Sequence, residues 1–260
     1  MSRTPAGDIE KMRTSYKISL LVVVTFLAMI AVFVQGPIAE RTAYHNFCDG
    51  RTVFGVANFA NVISNGIFLI VGIRGLSLLR GSGASAGIRV IYFSLFAGIV
   101  LTGFGSAYYH LSPNNRTLVF DRLPMTVVFM SLLAAIVSEF INPAAGKILL
   151  APLLLTGIAS VLWWRGEGDL RLYILVQYYP MLLIPGILLL FSGSAGDRSW
   201  HQLAGVFGWY IAAKSFDLLD CPVWSALGFV SGHTLKHLAA GLATGYLVRM
   251  FRIRYRTEVV

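Results

Sequence analysis

Charge is scarce in this chain. Asp, Glu, Lys and Arg make up 13% of its 260 residues, against about a quarter in an ordinary soluble domain. Long polar segments are missing as well, which excludes a separate soluble domain. No internal repeat or low-complexity tract stands out beyond the small "GSGASAG" loop. Acidic residues are few, 12 against 21 Lys and Arg, for a net charge of +9. That excess does not imply nucleic acid, because membrane proteins gather Lys and Arg on their cytoplasmic side. Cysteines number two, so only one intramolecular pairing exists.

What the chain does have is apolar length. Hydrophobic residues make up 56% of it, and apolar runs of about 17–22 residues recur, the length that crosses a bilayer core. The expected class is all-α: a polytopic transmembrane helical bundle. Candidate helices fall at 18–36, 56–74, 88–110, 122–141, 147–164, 171–191, 203–220 and 227–249. Turn signals separate them: Gly36-Pro37, Gly81-Ser-Gly, Pro113-Asn-Asn, Asn142-Pro143, Gly166-Glu-Gly, Gly193 to Gly196, and Pro222. The first run follows basic residues, as a signal peptide would. However, "VQGPIAER" is a poor cleavage site and the run is long for a signal, so a retained helix is expected.

Orientation follows from Lys and Arg. With the N-terminus cytoplasmic, inner segments hold thirteen: Arg3, Lys11, Arg13, Lys17, Arg74, Arg80, Arg89, Lys147, Arg198, Arg249, Arg252, Arg254 and Arg256. Outer segments hold six: Arg41, Arg51, Arg116, Arg122, Arg165 and Arg171. Lys214 and Lys236 lie within spans. Both termini are therefore expected in the cytoplasm.

Ionisable groups inside spans are costly, and each is a functional candidate. Ser106 and His110 are four apart on one helix face, and Asp121 begins the next helix. His233 and His237 are likewise at i and i+4, in the outer half of the last span. Distant parts of the chain thus bring three imidazoles to one depth beside a carboxylate, the composition of a catalytic zinc site. A lone buried histidine is usually a hydrogen-bonded core residue, and spacing alone leaves that reading open. A b-type haem fits less well, since its two ligands are not expected one turn apart. In the seventh span Lys214 and Asp217 can pair on one face, as a structural ion pair beside Asp220. Lys236 is expected to project away from the histidines' shared face, and a retinal-type role for it has little support. Asn58, Asn61, Ser64 and Asn65 line the second span, with Asn61 and Asn65 on one face as interhelical glue. Cys48 and Cys221 both fall on the outer side. That compartment permits a disulfide, but spacing alone leaves the pairing open.

Several of these residues carry a family resemblance. "GFGSAYYH", ten residues and "DRLPM" (Gly103 to Met125) resemble the G-x-G-S-x-x-x-H … D-x-L-P-M motif of alkaline ceramidases. "FCDG", "NVISN", "SFDLLDC" and "HTLKH" follow the family pattern in order, over residues 46–250. The wider superfamily is a seven-helix one that includes adiponectin- and progestin-type receptors. The resemblance implies a seven-helix core at 46–250, with 1–45 adding a tail and an extra helix and 251–260 a basic cytoplasmic tail. It implies zinc on His110, His233 and His237, with Ser106 and Asp121 beside it, and a Cys48–Cys221 disulfide. The implied activity is zinc-dependent cleavage of the amide of a ceramide-like N-acyl membrane lipid. Asp121 would act as general base and acid, and Ser106 would stabilise the oxyanion. The alternatives are a non-enzymatic receptor or sensor with a structural zinc, or a transporter with its path near Lys214 and Asp217. Short tails favour the enzyme. Nucleic acid and an obligate protein partner are not expected. The expected setting is a bacterial inner membrane, with the active site towards the outer side. The sequence departs from the family at its calcium site: Asp49 is kept, but Asn46 and Asn58 stand where acids would, with Arg51 nearby. Thr-Leu-Lys between the last histidines replaces the aromatic residues of the animal enzymes, which bears on the substrate.

Overall fold

The computed structural model describes residues 5–191 and 199–256. Arg3, Arg198 and the Gly193–Gly196 break lie outside the described residues, as does the side chain of Lys11. The chain is all-α. Helix α1 spans Pro5–Val34, and a short 3-10 turn at Thr42–His45 follows. Then come α2 (Phe59–Ser64), α3 (Gly66–Leu79), α4 (Ala86–Leu111), α5 (Asn115–Phe140), α6 (Pro143–Glu167) and α7 (Arg171–Phe191). The last three are α8 (Ser199–Leu218), α9 (Asp220–Leu227) and α10 (Gly232–Tyr255).

Six of the described segments are long and apolar enough to cross a membrane: α1, α2 with α3, α4, α5, α6 and α7. Helices α8 and α10 fall outside that group, for they carry Lys214 and Asp217, and His233, Lys236 and His237. They belong to the bundle by packing: α10 lies along α8 and also meets α3. Helix α1 meets the bundle at α7, where the Thr25 hydroxyl lies 2.7 Å from that of Tyr179 and Arg171 donates to the Phe33 carbonyl. Its remaining face exposes Phe26, Leu27 and Ile30, as a lipid-facing surface does.

Local chemistry sets the boundaries. Asn114 caps α5 by accepting from the amides of Arg116 and Thr117, and the Thr117 hydroxyl accepts from the Asn114 amide in return. Asn142 and Pro143 start α6, and Gly168, at φ +72°, ends it. The second span, expected as one helix, is broken at Asn65. The expected seventh span and last helix are also divided differently: Pro222 lies within the short α9, and α10 begins only at Gly232. At its other end α10 runs to Tyr255, so Arg252 and Arg254 belong to the last helix.

Two glycines fix the approaches that matter most. A Cβ on Gly105 would collide with the Phe120 carbonyl, so only glycine lets α4 meet α5 there. A Cβ on Gly232 would meet the backbone of Phe216, Leu219 and Asp220, so glycine also seats the start of α10 against the end of α8. The first contact brings the part of α4 that carries Ser106 against the part of α5 that carries Asp121, and the second sets His233 beside Asp217 and Asp220.

Candidate metal centre and its cavity

His110 comes from the last turn of α4, and His233 and His237 from the first two turns of α10. All three are buried. Their ring centroids stand 4.9 Å apart in each of the three pairs, and one ligand nitrogen from each lies within 4.8 Å of the others. The group could hold a metal ion.

The surrounding hydrogen bonds fit that role. Ser64 donates to the Asn61 carbonyl at 3.1 Å, so its oxygen is left to accept Nδ1–H of His237 at 2.8 Å. Asp217 stands 3.3 Å from Nδ1 of His233 and accepts a hydrogen bond from its N–H. These partners assign both Nδ1 atoms as protonated and leave both Nε2 lone pairs for a shared cation, the usual outer-shell arrangement of metal-bound imidazoles. Nδ1 of His110 is buried with no protein partner. The break at Asn65 brings Ser64 to this position, and Asn61 binds the Thr234 hydroxyl at 2.8 Å, tying α2 to α10.

One side of the histidine group is closed by the segment before α2. The Phe47 ring packs 4.6 Å from His110 and 4.5 Å from His233. The next residue, Cys48, is joined to Cys221, with Cα atoms 5.2 Å apart. The Asp220 carboxylate accepts from the amides of both Cys48 and His233, at 3.0 and 2.7 Å. One carboxylate therefore links the disulfide to a histidine of the cluster.

The calcium set expected from the resemblance does not fit a cation. Arg51 grips the Asp49 carboxylate through Nε and a terminal nitrogen, both at 2.8 Å, and holds its pKa below the usual carboxylate range. Arg51 also donates to the Phe229 carbonyl and lies over the Trp224 ring. Asn58 uses its amide on the His110 carbonyl at 2.9 Å, and Asn46 is exposed. The positive charge at this place is Arg51 itself.

Ser106 sits one turn before His110 on α4, and Asp121 lies in α5. Both line a cavity of about 410 Å³. Its polar end carries Glu40, Tyr44, Asp121, Arg122, Asp217 and Lys236, beside His237. Its far end is apolar, walled by Ile99, Phe129, Leu132 and Leu247.

Three expectations need correction. Lys214 does not pair with Asp217; its ammonium lies over the Tyr178 ring at 5.4 Å. Asp217 instead binds Lys236 at 2.9 Å, because α10 packs along α8 and offers a charge that already faces it. Lys236 therefore turns towards the site rather than away from it. Arg122, counted among outer-segment charges, is buried: its side chain is 4% exposed and paired with Glu40. The sequence signals for Asp217 and Lys236 were their positions four residues before Cys221 and between the two histidines, but the partner choice was a tertiary one.

Residues 39–185 match the family model described as Ceramidase. Comparison with curated proteins returns no match. The matched stretch carries Ser106, His110 and Asp121 and ends before His233 and His237, which the fold brings to them. The match spans more than half of the sequence, and the chain belongs to the Ceramidase family.

Proposed function

We propose that this protein is a zinc-dependent intramembrane hydrolase that cleaves the amide bond of an N-acyl, ceramide-like lipid. The observation that carries the reading is the convergence of three buried imidazoles within 4.8 Å, from helices far apart in the chain, one of which, His237, lines a cavity that also receives Ser106 and Asp121. His110, His233 and His237 would hold the ion. Zinc on three neutral imidazoles supplies an electrophile and lowers the pKa of a bound water to about 7.

The chain's own residues do the rest. Asp217 and Ser64 fix the ring orientations of His233 and His237. The Asp121 carboxylate takes the proton from the attacking water and returns it to the amide nitrogen as the amine leaves. Ser106 orients Asp121 and, by rotating its hydroxyl, donates to the oxygen on which negative charge develops. The apolar end of the cavity receives the acyl chain, and the polar end the amine portion. The products are a fatty acid and a long-chain base or similar amine.

The same reading places the site towards the outer face of a bacterial inner membrane, with both termini in the cytoplasm. The Cys48–Cys221 bond supports an oxidising compartment on that side. Residues 46–250 form the catalytic core, and 1–45 an added anchor. The test is to incubate detergent-solubilised protein with a panel of N-acyl lipids and follow fatty acid release by mass spectrometry, with and without chelator. Release that chelator abolishes and zinc restores supports the reading. No release from any of the panel, with one zinc bound per chain, sinks it in favour of a receptor.

A further inference from the structure

The two imidazoles that α10 supplies are held differently. Nδ1 of His237 has a neutral acceptor, the Ser64 hydroxyl, at 2.8 Å. Nδ1 of His233 has a carboxylate, Asp217, yet stands 3.3 Å from it, beyond the usual range of an N–H···O bond. A competitor accounts for the length. The oxygen that faces His233, Oδ1 of Asp217, also lies 2.9 Å from the Lys236 ammonium. One oxygen thus serves two donors that stand three residues apart on α10, and the charged donor holds it more closely.

The sharing matters because the acceptor behind a metal-bound imidazole sets how strongly that imidazole donates. A full carboxylate on Nδ1–H raises the basicity of Nε2 and tightens the metal. A carboxylate partly neutralised by an ammonium does so less. Asp217 and Lys236 both line the chamber, and their side chains are only 22% and 19% exposed, so solvent screens the pair little.

We propose that Lys236 is a positioning residue of the metal site. By claiming Oδ1 of Asp217 it weakens the support behind His233. A zinc ion held there is bound less tightly, and stays more electrophilic, than the Asp217–His233 pair alone would make it. The two properties oppose each other, since a ligand that gives more charge to the ion leaves it less able to polarise a carbonyl. This deepens the hydrolase reading and rests on it for the use of that electrophilicity; the effect on zinc affinity stands apart from it.

The experiment measures zinc affinity of the detergent-solubilised full chain by titration against a competing chelator. Lys236→Met removes the competing charge and is expected to bind zinc about tenfold more tightly, within the range that outer partners of metal ligands command. A side chain that only supports the fold would loosen the metal when lost, so the sign of the change separates the two roles. Lys236→Arg keeps the charge and should stay close to the unaltered protein. Asp217→Asn should itself loosen zinc, and adding Lys236→Met to it should bring no tightening. Where Lys236→Met gives no folded chain by thermal melting, Lys236→Gln takes its place, with a smaller gain expected because its amide still donates to Asp217. Unchanged or weaker zinc binding in the folded neutral variant overturns the proposal. A gain as large in Lys236→Arg overturns it, and so does a gain that survives alongside Asp217→Asn, for Lys236 would then act without Asp217. Fatty acid release followed in parallel should fall about tenfold in Lys236→Met despite the tighter metal. Tighter zinc in that variant, with no lipid cleaved by the unaltered protein, leaves the role of Lys236 on the metal standing and removes the hydrolase. Unchanged zinc with cleavage intact does the opposite.

Discussion

Helix α5 carries two buried acids five turns apart, and their surroundings differ. Glu139, near the C-terminal end of the helix, accepts hydrogen bonds from the hydroxyls of Tyr92 and Tyr255 and pairs with Arg254 at 3.1 Å. It joins α4, α5 and α10 and is not among the residues that line the chamber. Asp121, near the N-terminal end of the helix, lines the open chamber together with Ser106. A carboxylate wrapped in donors is spent on architecture. One left facing a lined space, next to three imidazoles, is free to exchange a proton with something that enters.

The largest expected effect breaks the histidine site alone. His233→Ala or His237→Ala should reduce bound zinc from about one per chain to none and abolish fatty acid release, as metal analysis and the lipid assay would show. Retained zinc in either variant would remove that residue from the ligand set. Asp121→Asn should keep the zinc and lose about 10²–10⁴-fold in hydrolysis. Full activity in it would erase the distinction between the two acids. Next, Ser64→Ala should weaken zinc affinity about 10–100-fold, since it removes the partner that orients His237; titration with a competing chelator measures it. Glu139→Gln should do the reverse of Asp121→Asn, lowering the melting temperature through a loss of about 1–3 kcal/mol while zinc content stays unchanged.

The smallest effect concerns the loops outside the bilayer. Asp49 and Asp169 are both held below the usual carboxylate range by a gripping arginine, Arg51 and Arg171. A depressed folded-state pKa gives stability that is full above about pH 4 and lost as pH falls further. Melting temperature should therefore decline below about pH 4, and Asp49→Asn should flatten part of that decline. Calcium or a calcium chelator should leave the melting temperature unmoved, because Arg51 already neutralises Asp49.

Much of this was legible in the sequence. The apolar runs placed α4, α6 and α7 to within about four residues, but α1 and α5 begin earlier than expected, at Pro5 and Asn115, and the second span and the region around Pro222 are divided differently. The i and i+4 spacings of Ser106 with His110 and of His233 with His237 announced shared faces, because helix geometry alone decides which side chains stack. Partner choice was not legible. Lys236 reads as pointing away when α10 is drawn in isolation, and it is the packing of α10 along α8 that supplies Asp217. Arg122 reads as a loop-edge charge until the Thr42–His45 turn and α7 close over it with Tyr44 and Tyr173. The break at Asn65 carries no proline or glycine at its own position. Its use is visible only once Ser64 is seen against His237.

The division of the ligand set between α4 and α10 bears on how the protein is made. A ribosome delivers His110 to the bilayer early, as one of a growing set of helices. The other two imidazoles emerge with the final helix. On the proposed reading metal capture is therefore a late event in biogenesis, and an inserted chain that stalls before residue 233 is a bundle with one histidine in place and nothing for it to share.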